Sequence, residues 1–349
     1  MLGLSSASLV VALLAVSLDK ISSYWTGRVA ADERVVFFPT AGRQLNQTHW
    51  EVPIHGWIFE PEQESKKRKA FLKVLAKSLK VSDPEQKSIL NRRMRPFVVD
   101  NQSYKRPKIT LRGSTFRMPR SKKNGHFTST LILPWNSKEA TTIRYQALDD
   151  TGGTNRRFEG AVHLVPRTGV SVISDIDDTI KITNYLDKKA FLKNTFLLPF
   201  QAVPGMAELF QQWKADHENC CFHFVSASPY QLYEELESFR QREGFPPATF
   251  HLKTIRPKDK SILQLFADPV DYKRQHIEGI LRRFPKRTFI FVGDSGEKDC
   301  EIYAGIYKDY PNQVQQIWIR NINSATAERM KGVPFEKWQY FGNGTELLK

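Results

Sequence analysis

The string Ser174-Asp175-Ile176-Asp177-Asp178-Thr179 puts three carboxylates into four positions directly after the apolar run Val170-Ser171-Val172-Ile173, with no Gly or Pro between them. Like charges this close repel, and a hard cation with oxygen ligands is the usual reason for such a cluster. An acidic surface loop is the alternative, but a loop rarely follows a buried strand without a Gly or Pro break. If the chain stays extended, Asp175 and Asp177 project to the same side. The feature therefore calls for a buried strand whose carboxyl end opens on a ligand site, as in parallel α/β sheets.

The surrounding pattern agrees. Short apolar runs at 170–174, 221–225, 250–254, 288–292 and 315–320 read as strands, and they alternate with helical patterns at 204–217, 230–243, 271–284 and 299–309. Continuous apolar strands are expected where helices cover both faces of a parallel sheet.

Three more features fall at or near strand ends. Ser226-Ala227-Ser228-Pro229 follows Cys221-Phe222-His223-Phe224-Val225 and precedes a helix, a place where a hydroxyl and free backbone N–H groups can cradle a phosphate. Lys273 opens the helical stretch 272–284; alone it carries no signal. Phe289-Ile290-Phe291-Val292 runs into Gly293-Asp294-Ser295-Gly296-Glu297-Lys298-Asp299, a second acidic turn behind a buried strand. Only 46 residues separate Thr179 from Ser226, which leaves room for a flap but not for a large folded cap. Phe191, Phe196, Leu197, Leu198 and Phe200 in that stretch suit core packing better than contact with an acyl chain.

In this order, the motifs resemble the haloacid dehalogenase superfamily of phosphotransferases. The strings 174–181, 225–229 and 292–299 are similar to the actin-patch-protein type of phosphatidate phosphatase catalytic domain, over about residues 165–325. The resemblance implies an α/β fold with a Rossmann-like parallel sheet and a small cap. It also implies hydrolysis of phosphatidate or another lipid phosphate to diacylglycerol and phosphate. Asp175 would be the nucleophile that forms an aspartyl-phosphate. Asp177 would protonate the leaving alkoxide and then activate water. Thr179, Ser226 and Lys273 would hold the phosphoryl oxygens. Mg²⁺ would be held by Asp175, Asp177 (through its backbone carbonyl) and Asp294, with Asp299 orienting the metal shell or Lys273. Lys253, Lys258 and Lys260 compete for the lysine role. Lys273 is preferred because it precedes Asp294 by one helix and one strand. A phosphatase of soluble phosphomonoesters, and a lipid- or partner-binding protein with a residual phosphatase domain, are the rival readings.

The first half is different. Residues 1–170 hold 28 Lys+Arg against 14 Asp+Glu, whereas residues 171–349 hold 24 against 23. Strands are expected around 35–38, 52–59, 108–112, 126–133, 141–148 and 158–165. A basic amphipathic helix over 64–80 and a second helix from 82 or 83 towards 95 interrupt them. This gives a basic, β-rich, sandwich-like domain over 33–166 with a helical insertion, then a catalytic domain over 167–325 and a C-terminal tail over 326–349. The charge suits an anionic membrane surface, with Lys66, Lys67, Arg68, Lys69 and Lys73 as the densest cluster. No zinc-finger, RNA-recognition or basic-zipper motif is present, so nucleic acid is not expected as a partner. The apolar run 9–18 has no Lys or Arg before it and reads as a signal-peptide core or membrane anchor within 1–23, with a buried helix in a cytoplasmic protein as the alternative. Three cysteines, Cys220, Cys221 and Cys300, exclude a disulfide framework.

Overall fold

The computed structural model describes residues 26–61, 79–136, 141–148, 156–254 and 270–348, with 22, 70, 73, 76 and 77 singly. The apolar run 9–18 and the basic cluster 66–69 lie outside the described residues. Among the described residues no helix is long and apolar enough to cross a membrane. The chain divides into two compact units, residues 1–64 with 99–164, and residues 65–98 with 165–349.

The first unit is built of strands β1 (Arg34–Phe37), β2 (Thr40–Gln44), β3 (His49–Glu60), β4 (Asp100–Asn101), β5 (Lys108–Leu111), β6 (Ser114–Arg117), β7 (His126–Pro134), β8 (Thr142–Leu148) and β9 (Arg157–Val165). They form one branched sheet. The long β3 pairs antiparallel with β1, β2, β4 and β7, and β8 pairs antiparallel with β5 and β9. Alternate residues of β3, among them Trp50, Val52 and Ile54, point into an apolar core with Phe37, Ile109, Phe127, Ile143 and Val162. That alternation is the period-two signature of a half-buried strand. The expected sandwich is thus a single sheet in its hydrogen bonding, and β2, β4 and β6 are strands that the sequence pattern did not single out.

The second unit is mixed α/β. Its six-stranded parallel sheet has the order β12-β11-β10-β13-β14-β15, from β10 (Val170–Ser174), β11 (Cys221–Pro229), β12 (Ala248–Lys253), β13 (Thr288–Asp294), β14 (Val314–Arg320) and β15 (Trp338–Phe341). Its helices are α1 (Pro84–Met94), α2 (Lys188–Phe196), α3 (Met206–Asp216), α4 (Tyr233–Arg242), α5 (Val270–Arg283) and α6 (Asp299–Asp309). The central strands β10 and β13 are buried along nearly their whole length, as their apolar runs require. At their amino ends the buried Arg287 donates to Ser171 Oγ at 2.9 Å and to the carbonyls of Pro166, Thr168 and Asn219 at 2.9, 2.6 and 2.7 Å. This fixes the start of β10 and, with it, the register that delivers Asp175.

Two boundaries differ from the sequence reading. Trp338–Phe341 adds an edge strand beside β14, so the C-terminal stretch belongs to the sheet and is not a tail. Residues 79–98 group with the α/β unit and not with the β-rich unit. Helix α1 starts at an Asp83 cap that accepts Gln86 N–H, and Arg93 on its buried side donates to the carbonyls of Thr195 and Leu198, both at 2.8 Å. In the sequence the stretch 65–98 holds 11 Lys+Arg against 2 Asp+Glu, while residues 1–64 with 99–164 carry +4. The excess charge of the first half is therefore concentrated in the stretch 65–98 of the sequence. Phe191, Phe196, Leu197 and Phe200 are buried, as core packing required. Between Lys181 and Met206 the one regular helix is α2, which leaves no separate cap domain. All three cysteines are free thiols.

Candidate active site

The carboxyl ends of β10, β11 and β13 lie side by side, because β10 pairs in parallel with both neighbours. Asp175 N–H still donates to Val292 O at 2.9 Å, one residue beyond the β10 strand, and this anchors the carboxylate at the sheet's edge. The chain then turns. Asp178 adopts a positive φ of 55°, and its carboxylate accepts the N–H groups of Thr183, Asn184 and Tyr185 at 2.8, 2.8 and 2.6 Å. Asp178 is thus a structural acceptor that shapes the following loop. Arg320 from β14 also donates to its carbonyl, at 2.7 Å.

Because the chain turns, Asp175 and Asp177 take different partners. Asp177 Oδ1 meets Lys181 Nζ at 2.7 Å and accepts Thr183 Oγ1–H at 2.8 Å, while Oδ2 accepts Ser228 Oγ–H at 2.8 Å and Ser226 Oγ–H at 3.3 Å. Burial alone would raise this carboxyl, but the Lys181 ammonium and the hydroxyls of Ser228 and Thr183 outweigh it and hold it below the usual carboxylate range. For the Asp177 side chain, the charge expected to call for a cation is thus met by Lys181. This pairing also takes the Asp177 side chain out of the converging carboxylates, leaving its backbone carbonyl as the group proposed for the metal.

Asp175 belongs to a second network. Lys273 Nζ, from α5, lies 3.0 Å from Asp175 Oδ1, 2.9 Å from Glu297 Oε2 and 2.7 Å from Asp299 Oδ1, and all four side chains are buried. Thr179 Oγ1 donates to Asp175 Oδ2 at 3.4 Å. The second acidic turn follows β13. There Asp294 Oδ1 accepts Gly296 N–H at 2.6 Å and Glu297 N–H at 3.3 Å, and Asp299 Oδ2 accepts Asp294 N–H at 3.3 Å. The turn has no room for larger residues: a Cβ on Gly293 would lie 2.5 Å from Asp299 Oδ2, and one on Gly296 2.6 Å from Ile322 Cδ1.

Asp175, Asp294 and Asp299 each bring one carboxylate oxygen into a group whose members lie within 4.8 Å of one another, and all three residues are buried. Asp294 Oδ2 is buried without a hydrogen-bond partner. Four carboxylates, counting Glu297, face the single ammonium of Lys273. Burial, together with the neighbouring acids, pushes Asp175 and Asp294 well above their ordinary range and raises Glu297. Burial would lower Lys273, but Asp175, Asp299 and Glu297 override it and raise the amine well above its ordinary value. An unpartnered buried oxygen in an all-oxygen, charge-rich set fits a hard divalent cation such as Mg²⁺.

Asp175, Thr179, Lys273, Asp294 and Asp299 thus come together, with Asp177 and Ser226 in an adjoining network that meets the same strand ends. Of the competing lysines, Lys253 ends β12, and Lys258 and Lys260 lie outside the described residues. Sequence reasoning assigned no role to Lys181, Thr183, Ser228 or Glu297. Three of these lie inside the quoted motifs, which was the available signal, and Thr183 lies two residues past the first.

Residues 170–321 match the family model described as phosphatidate phosphatase APP1, catalytic domain. The phosphatidate phosphatase APP1 of Saccharomyces cerevisiae is 35% identical over 162 residues, 46% of this chain and 27% of its own length. An uncharacterized protein of Schizosaccharomyces pombe, C29B5.04c, is 28% identical over 207 residues, 58% of this chain and 31% of its own. The chain therefore spans about a third or less of the curated relatives it matches. A family 123 glycoside hydrolase from Clostridium perfringens aligns over 86% of this chain and 66% of its own at 8% identity, but its TM-score of 0.15 carries no argument. Over residues 170–321, where both acidic turns, Ser226 and Lys273 lie, the chain is similar to the catalytic domain of the APP1 phosphatidate phosphatase.

Proposed function

We propose that the catalytic unit is a Mg²⁺-dependent phosphatase of haloacid dehalogenase type that hydrolyses phosphatidate or a related lipid phosphate through an aspartyl-phosphate. The observation that carries this reading is the placement of Lys273 3.0 Å from Asp175, within the converging set of Asp175, Asp294 and Asp299. Asp175, Asp294, Asp299 and the backbone carbonyl of Asp177 would hold Mg²⁺, which when bound neutralises charge on the phosphoryl group. Lys273, Thr179 and Ser226 supply donors for the phosphoryl oxygens, where charge must be stabilised in the transition state.

In the first step an Asp175 oxygen forms a bond to phosphorus as the bond to the glyceryl oxygen breaks. The electron pair goes to that oxygen, which takes a proton from the Asp177–Lys181 pair. An alkoxide is a far stronger base than a lysine amine, so the pair can protonate it even though Asp177 rests ionised. Water then attacks phosphorus and returns a proton to the pair. The bond to Asp175 breaks, releasing phosphate and restoring the carboxylate.

The lipid class draws support from three observations. No cap domain stands between Lys181 and Met206, so the site suits a substrate presented by a large surface. Leu186, next to the loop tied by Asp178, is 57% exposed. The stretch 65–98 carries +9 in the sequence, which suits an anionic bilayer. The test is phosphate release by the purified full chain from detergent-dispersed short-chain phosphatidate, a sugar phosphate, a nucleoside monophosphate and a phosphopeptide, with Mg²⁺ or excess chelator. Mg²⁺-dependent turnover favouring phosphatidate is expected. Preference for a soluble ester would overturn the lipid reading, and full activity in chelator would remove the metal from the mechanism.

A further inference from the structure

Two of the carboxylates that the proposed Mg²⁺ would engage, Asp294 and Asp299, sit on the turn 294–299, whose internal bonds run through those same carboxylates. The rest of its support comes from the chain after β14. Ser295 N–H donates to Arg320 O at 2.9 Å, Ile322 N–H to Ser295 Oγ at 2.9 Å, and Asn323 Nδ2 to Ser295 O at 2.9 Å. Arg329, on the short 3-10 helix Ala327–Met330, completes the grip. Its guanidinium donates to Ser295 O through Nη1 and to Glu297 O at 2.6 Å through Nη2, and meets both Glu301 carboxylate oxygens at 2.8 Å.

We propose that Arg329 is a positioning residue for the metal site: it clamps the two carbonyls between Asp294 and Asp299, so that both carboxylates and the Glu297 side chain on Lys273 keep their places. The inference rests on the metal reading above and extends it to a residue beyond the matched 170–321 region. The chemistry of the side chain suits the task. A planar fork reaches two carbonyls and a carboxylate at once, which a single ammonium cannot. The two carbonyls belong to the turn that carries the ligands, so losing the clamp frees the turn rather than the sheet. Outer partners of metal ligands act in this way, by holding ligand geometry.

The test is Mn²⁺ binding to the full chain, followed by electron paramagnetic resonance, beside the melting temperature of each metal-free protein. Arg329→Met should weaken Mn²⁺ binding about 10- to 100-fold. Arg329→Lys should recover little of this loss, because it keeps the charge but not the fork. Glu301→Gln removes the exposed ion pair and leaves both carbonyl bonds, so it should bind Mn²⁺ as the wild type does. If Arg329→Met fails to fold, Arg329→Lys carries the test alone. Wild-type Mn²⁺ affinity in the folded Arg329 variants would overturn the proposal. So would an equal loss in Glu301→Gln, since the effect would then belong to the surface pair. Absence of Mn²⁺ uptake by the wild type would instead remove the metal reading itself, and the clamp's purpose with it.

Discussion

The two acidic turns of the catalytic unit end neighbouring strands of one sheet, yet they handle their charge in opposite ways. In the first turn, Asp178 is consumed by three backbone N–H groups and Asp177 by Lys181, Thr183 and two serines. In the second, Asp294 and Asp299 join Asp175 and Glu297 around one lysine, and one Asp294 oxygen has no partner. Clustered carboxylates are thus two different statements. One set is neutralised by the protein and builds the loop; the other is left with charge for a ligand to neutralise.

Replacing the first-turn residue that joins the second network should have the largest effect. Asp175→Asn keeps the shape and loses the proposed nucleophile and one negative charge, so phosphate release should fall to background while the circular-dichroism spectrum is unchanged. Retained turnover would move the nucleophile elsewhere. Next, Asp294→Asn should weaken Mg²⁺ or Mn²⁺ binding by more than the 10- to 100-fold typical of an outer partner, because it alters a proposed ligand directly. Calorimetric titration measures this, and unchanged affinity would erase the contrast between the turns.

The comparison sharpens at Asp178. Asp178→Ala leaves three N–H groups without their carboxylate and should cost about 3 kcal/mol of stability in urea unfolding. Metal affinity should change far less than in Asp294→Asn. A stable Asp178→Ala that fails to bind metal would reverse the roles assigned here.

The smallest effect is on pH. Asp294 and Glu297 have folded values raised above their ordinary 3.8 and 4.5, so in the metal-free protein their contribution to stability is present at low pH and lost as pH rises through the folded values. The metal-free melting temperature should therefore decline as pH rises above about 4.5 through the raised folded values, and saturating Mg²⁺ should flatten that decline. Asp177 works in another window. Its folded value is depressed, so its contribution is lost only as pH falls through that lower value. Scanning calorimetry with and without metal checks the sign, and a metal-free protein that gains stability towards neutral pH would contradict it.

Much of this site was legible in the residues. The apolar runs before Asp175 and Asp294 have nothing to do but pair inside a covered sheet, so the order of the acidic turns along β10 and β13 followed from pattern alone. Lys273 was separable from other lysines because a helix and a strand must intervene before Asp294. The pairing of Asp177 with Lys181 was not legible, since it depends on the positive φ at Asp178 that turns the chain away from an extended path. Trp338–Phe341 was missed because four residues carry too little periodicity, and their strand exists only through its pairing with β14.

Sequence by itself therefore determined the strand–turn–helix grammar, the chemical identity of the acids and the lysine, and their places at strand ends. These rest on local hydrophobic periodicity and on charge, both of which are properties of neighbours in the chain. Tertiary structure decided which carboxylates are neutralised and by what, that residues 79–98 group with the α/β unit, and that Arg329 grips a turn 34 residues away in the chain. Such pairings depend on where the sheet carries distant residues, and no local pattern records that distance.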